Sequence, residues 1–308
     1  MVRIITDSAA DLEPQEYEKL KVSCIPLRVA FGDQEYLECK ELSKGRFYEL
    51  LAEAEFPKTS QASPAVLTEL FEAARDAGEE AIYITLSSAL SGTYQTACMI
   101  KEDVEHDGAF VFDSRNATGG QRVLVEEACR LRDLGLDAAG IIAGLESIRD
   151  RIELYAMVNN LENLHRGGRI SHTVYTLGSL AQIKPLISVD AEGRVALPGK
   201  AMGVRKGMDM VAKRLTIRRP DANYPVYVMY TDNRSVGEQL AQRLGVSAQA
   251  VSKWESGTNM PDIQILPDLS VIFGVTIDEL FAMTDEHRME RIENMIYDVQ
   301  FLSHDEFL

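Results

Sequence analysis

Short hydroxyl-bearing stretches mark where this sequence could hold a charged ligand. "SSALSGTYQ" (87–95) sets Ser91, Gly92 and Thr93 at the expected start of a helix. Backbone N–H groups there lack intrahelical acceptors, and the positive end of the helix dipole favours an anion. Ser and Thr at such a position also act as ordinary N-caps. "KTSQASP" (58–64), with Thr59 and Ser60, is another polar loop expected before a helix, and Asp7-Ser8 and Asp113-Ser114 end two further β-rich runs. Several such ends on one sheet edge favour a small anionic ligand, because open parallel sheets bind ligands outside the carboxyl ends of their strands.

A basic loop, "HRGGRISH" (165–172), gathers Arg166 and Arg169 around two glycines. Glycine lets a backbone turn tightly, and the arginine fork suits a carboxylate or phosphate. The same string also fits a helix end with solvated arginines. Arg205 and Lys206 are candidates to extend this basic rim.

The chain offers no evident catalyst. It has no G-x-S-x-G elbow, no Walker A loop and no H-E-x-x-H. A hydrolase acting through Ser91 would need an activating His or Lys, and the sequence places none beside it. The five histidines are not grouped at metal-ligand spacing; His165 and His172 fit surface or packing roles. No catalytic residue, metal or cofactor is therefore expected.

The elements that must position these loops follow a regular rhythm over 1–160. "VRIITDS" (2–8), "AIYITLSS" (81–88) and "GAFVFDS" (108–114) are nearly continuous apolar runs, as in a parallel sheet buried on both faces. Helical stretches are expected at about 64–77, 90–106 and 119–133, which gives α/β alternation. A smaller α/β region is expected over 161–240. There "DAEG" turns between two strands, a helix covers about 203–217, and "YPVYVMYT" (224–231) reads as a strand. Residues 241–308 carry turn signals and short helical patterns with no strand, an all-helical segment.

With 308 residues there is room for one large or two ordinary domains. The formal charge of −16 repels nucleic acid at long range. The four cysteines form no C-x-x-C pair, and Cys98 and Cys129 fall in helical patterns as buried free thiols. No signal-like N-terminus or membrane-spanning run is present, so a cytoplasmic location and no membrane span are expected.

The stretches "IITDSAADL", "KTSQASP", "SSALSGTYQTA", "NNLENLHRGGRIS", "LGSLAQIKPLISV" and "GRVALPGKA" together resemble the DegV family, bacterial fatty-acid-binding proteins, over about residues 1–240. The resemblance implies two α/β domains with a long-chain fatty acid between them. It implies that Thr59 and Ser91 hydrogen-bond the carboxylate, with Ser60 and Gly92 in the same two loops. It places Arg169 near the head group or a phosphoryl-transfer partner. The implied role is to present the acyl carboxylate to a separate fatty acid kinase.

"LAQRLGVSAQAVSKWESG" (240–257) resembles helices two and three of Cro-repressor-type helix-turn-helix domains, and "MPDIQILPDLSVIFGVTIDELF" (260–281) resembles the two helices that follow, so the resemblance covers about 238–283. That resemblance implies that Gln249, Ser252 and Lys253 face a DNA major groove. The first helix of such a domain is missing, and the DegV resemblance stops near 240, so the second α/β domain is expected to be truncated. Residues 238–308 hold thirteen Asp or Glu against four Lys or Arg, so weak DNA binding is expected. The rival function is a DNA-binding regulator whose α/β part senses a lipid.

Overall fold

The computed structural model describes residues 1–53, 56–178, 183–221 and 223–231. The elements run in the following order. β1 (Val2–Asp7), a 3-10 turn (Ser8–Ala10), α1 (Pro14–Leu20) and β2 (Val22–Ile25) come first. β3 (Arg28–Phe31), β4 (Gln34–Leu37), α2 (Lys44–Glu53) and β5 (Lys58–Ser60) follow. The βα alternation then continues through α3 (Pro64–Asp76), β6 (Glu80–Thr85), α4 (Thr93–Val104), β7 (Ala109–Asp113), α5 (Thr118–Asp133) and α6 (Ala138–Arg149). Last come β8 (Tyr155–Met157), α7 (Glu162–Arg166), α8 (His172–Gly178), β9 (Ile183–Val189), β10 (Val195–Met202) and α9 (Gly203–Ile217).

The apolar runs near residues 2, 81 and 108 become β1, β6 and β7, as expected. With β2 they form a parallel sheet in the order β2-β1-β6-β7, in which Ile4 pairs with both Val22 and Ile82. Helices cover both faces, which is why these strands are apolar on both sides. α3 buries Leu67, Phe71 and Ala74, one helical stripe, against one face. α5 and α6 cover the other; α6 starts where Asp137 accepts the Gly140 N–H at 2.9 Å, and it buries Ile141, Leu145 and Ile148. Phe71 and Tyr83 have no exposed surface, and burying such side chains contributes about 1.5–3 kcal/mol each.

Two antiparallel sheets complete the described chain. β3 lies between β4 and β5, and β9 lies between β8 and β10. Asp190–Gly193 is the turn of the β9–β10 hairpin, where "DAEG" predicts it. The chain divides into two units, Met1–Val211 and Ala212–Leu308, and all three sheets belong to the first.

Two expectations need correction. The "KTS" of the loop before α3 is strand β5, with Thr59 opposite Val29 and Ser60 opposite Arg28. "YPVYVMYT" forms no strand among the described residues; Val226, Met229 and Tyr230 are 39%, 45% and 51% exposed. Its β-rich composition supplies propensity, but propensity alone does not make a strand; pairing and burial in context decide. The expected helices beyond 231 and the residues Gln249, Ser252 and Lys253 lie outside the described residues.

Candidate functional site

Strand order reverses at β1, with β2 on one side and β6 and β7 on the other. The carboxyl ends of β1 and β6 therefore flank the crevice where such sheets bind ligands. The hydroxyls and carboxylates at these ends are not free to hold one. The Ser8 hydroxyl donates to Glu38 Oε2 at 2.6 Å and accepts the Leu27 N–H at 2.9 Å. Ser114 Oγ donates to the Asn116 carbonyl at 3.0 Å. Asp113 Oδ1 accepts N–H groups from Ser88 and Arg115. Ser87 Oγ donates to the Gly193 carbonyl at 2.8 Å, which pins the β9–β10 hairpin against the end of β6. These residues build the sheet edge instead of converging on an anion.

Asp7 is the deepest of them. Leu86 N–H donates to its Oδ2 at 2.9 Å, and Gln121 Nε2 donates to its Oδ1 at 3.1 Å and to Thr6 Oγ1 at 3.0 Å. Burial nevertheless pushes its carboxyl up to about 6, against the opposing pull of these donors, and nearby Glu38 adds to the rise. Asp11 is raised to about 6 as well, first by burial and then by Glu38.

What remains available are three segments that meet beside this edge. The first is the start of α4. Gly92 is its N-cap and makes no side-chain bond; the Ser91 hydroxyl accepts the Thr93 N–H at 3.3 Å and lies 2.9 Å from the Thr93 hydroxyl. The second is the end of β5, where Thr59 and Ser60 are exposed; Ser60 Oγ donates to Glu35 at 3.4 Å. The two are joined by Gln61. Its Oε1 accepts the Thr96 hydroxyl of α4 at 3.1 Å, and a Cβ at Gly92 would sit 3.2 Å from that oxygen. The third is the basic loop. Arg169 Nε donates to the Leu90 carbonyl at 3.0 Å, one residue before Ser91. Arg166 lies 4.3 Å over the Phe56 ring, just ahead of β5, and 3.5 Å from Glu162.

The structure thus brings Arg169 to the carbonyl that precedes Ser91 and Gly92, and it links the residue after β5 to the start of α4 through Gln61. Arg205 and Lys206 lie exposed on the first turn of α9. His165 stacks on Tyr175 at 4.5 Å, with His172 5.3 Å away; among the described residues no three His, Cys, Asp or Glu side chains group as a metal site. Also among them, no helix is long and apolar enough to cross a membrane. Gln61 and Phe56 were missed by reading the sequence. Gln61 sits inside "KTSQASP", yet only the fold reveals that Thr96 is its partner.

Comparison with known proteins returns this architecture. A family model described as an uncharacterised protein of the DegV family matches residues 1–257. The match runs through 238–257 and so past the limit of about 240 expected from the motifs. The DegV domain-containing protein YteA of Lactococcus lactis is 31% identical over 296 residues, which is 94% of this chain and 99% of that protein. A solved DegV-family protein of Thermus thermophilus, described by its fatty-acid binding, is 30% identical; it covers 70% of this chain and 77% of its own, with a TM-score of 0.65. A fatty-acid-binding DegV-family protein of Streptococcus agalactiae is 25% identical, covering 84% and 89%, with a TM-score of 0.71.

Proposed function

The chain belongs to the DegV family, and from that premise we propose that it binds one long-chain fatty acid with the carboxylate at the meeting point of β5, the start of α4 and the Arg169 loop. In this reading Thr59 and Ser91 hold the carboxylate, Ser60 and Gly92 shape the two loops, and Arg169 lies at the rim. A separate acyl kinase then phosphorylates the presented carboxylate.

One observation carries the reading: polar donors and the buried apolar core adjoin at the same two positions. Gln61 and Thr96 hydrogen-bond each other at the head of the site. The very next residues, Ala62 and Ala97, belong to the apolar cluster of Leu67, Phe71, Tyr83 and Ile100 between the sheet and α3 and α4. A ligand with a charged head and an apolar tail suits a polar edge that borders an apolar core, whereas phosphate has no apolar part to place beside it. Hydroxyls and helix-start N–H groups can hold a carboxylate without a buried cation. The partners of the Ser91 hydroxyl among the described residues are the Thr93 hydroxyl and N–H, with no base to activate it, which supports presentation over hydrolysis.

Titration of stearate into wild type, Ser91→Ala and Thr59→Ala tests the reading. Each variant should lose about 1.5–3 kcal/mol, the range for a hydrogen bond to a charged group, or roughly 10- to 150-fold in affinity. Equal affinities would remove that residue from the site. Acyl phosphate formed from ATP by this protein alone, without an added kinase, would overturn the presentation role.

A further inference from the structure

We propose that Gln61 is the residue that makes this head-group site selective for a carboxylate, a role that rests on the fatty-acid reading above. Its amide has one end fixed and one end free. Oε1 accepts the Thr96 hydroxyl at 3.1 Å, so the oxygen faces α4. Nε2 has no hydrogen-bond partner among the described residues, which leaves its two N–H donors unspent on a half-buried side chain. Gln61 Nε2 is not among the buried polar atoms left without a partner, so water can satisfy these donors in the free protein and a carboxylate oxygen can replace that water.

The placement is specific. Gln61 follows Thr59 and Ser60 on the β5 side and lies against Gly92 on the α4 side, one residue from Ser91. Any side chain at position 92 would start 3.2 Å from Gln61 Oε1, so glycine there keeps room for the amide. Thr96 acts as a positioning residue. It occupies the lone-pair side of the amide, and the opposite, donating side is what remains for a ligand. With donors on both loops and the amide oxygen engaged by Thr96, an anionic head group can meet N–H and O–H groups. A neutral alcohol head would gain much less from the same set.

The test compares stearate with octadecanol, two ligands of equal chain length that differ in head-group charge. The proteins are the full chain as wild type, Gln61→Glu and Thr96→Val. Gln61→Glu keeps the shape but replaces the donors with a second carboxylate. It should weaken stearate by at least ~10-fold, the order expected for losing a charge-assisted bond, with octadecanol changed less than about twofold. Thr96→Val frees the amide to rotate and should weaken stearate by a smaller factor, again sparing octadecanol.

Two outcomes overturn the proposal while wild type still binds stearate. One is unchanged stearate affinity in Gln61→Glu; the other is an equal loss for both ligands, which would make Gln61 a packing residue. Wild type that binds neither ligand would instead sink the fatty-acid reading, and this proposal with it.

Discussion

Gly193 sits in the turn of the β9–β10 hairpin with φ of +79°, and its carbonyl accepts the Ser87 hydroxyl at 2.8 Å. A Cβ there would lie 2.1 Å from Ser87 Oγ and 3.0 Å from Arg115 Cα. Gly193→Ala should therefore act in three ways. A left-handed backbone costs an alanine about 1–2 kcal/mol. Pushing Ser87 away loses a buried hydrogen bond worth about 0.5–1.5 kcal/mol. The Arg115 backbone cannot retreat as a side-chain end can, so some residual crowding remains. The sum is roughly 2–4 kcal/mol, which places Gly193→Ala among strongly destabilising substitutions. Urea unfolding of wild type, Gly193→Ala, Ser87→Ala and the double variant measures it. Ser87→Ala alone should cost about 1 kcal/mol, and it removes the nearest atom that an added methyl would strike. The double variant should then be less destabilised than the sum of the singles, by about 1 kcal/mol. Gly193→Ala within about 0.5 kcal/mol of wild type, or strict additivity, would refute the argument that this turn is locked onto the end of β6. The consequence reaches the proposed ligand site, because Ser87 opens the loop that carries Ser91. Gly193→Ala should also weaken fatty-acid binding, although residue 193 is not a proposed ligand contact.

Asp7→Asn should change the pH dependence of stability. The Asp7 carboxyl titrates at about 6 when folded against 3.8 in its ordinary state, so folding takes up a proton between those values. Its contribution is full below 3.8 and is lost as pH rises through 6; wild type should lose up to about 3 kcal/mol relative to Asp7→Asn over that window. Parallel pH profiles for the two proteins would contradict the burial argument. Phe71→Ala removes a side chain with no exposed surface from the layer between α3 and the parallel sheet, and it should destabilise by about 3–5 kcal/mol in thermal or urea unfolding. Asp137→Ala deletes the cap of α6 and should cost about 1 kcal/mol; no change would mean that the Gly140 N–H finds water at no penalty.

The parallel sheet was legible because burial on both faces forces continuous apolar runs, and β1, β6 and β7 are such runs. The small sheet of β3, β4 and β5 was not. Its strands have three or four residues each, and Lys58, Thr59 and Ser60 are all exposed, so no hydrophobic alternation marks β5. "YPVYVMYT" misled in the opposite direction, since propensity is written in a sequence and a pairing partner is not. The polar strand ends were visible as residue types, but their internal partners were not. Ser8 answers to Glu38, thirty positions away, and Ser87 to Gly193, more than a hundred away. Of the loops singled out by type, those holding Ser91 and Arg169 do meet, through the Leu90 carbonyl. The role proposed for Gln61 depends on Thr96 of α4 reaching the residue that follows β5, a tertiary fact that no spacing along the chain encodes.

Native mass spectrometry of the protein purified from bacterial cells tests the fatty-acid reading most directly when wild type and Ser91→Ala are weighed side by side. Wild type should carry the added mass of one long-chain fatty acid per chain, released on denaturation. Ser91→Ala, folded to the same degree by circular dichroism, should have lost most of it. Wild type at the bare chain mass even after incubation with excess stearate, or full and equal retention in Ser91→Ala, would contradict a carboxylate site at the start of α4.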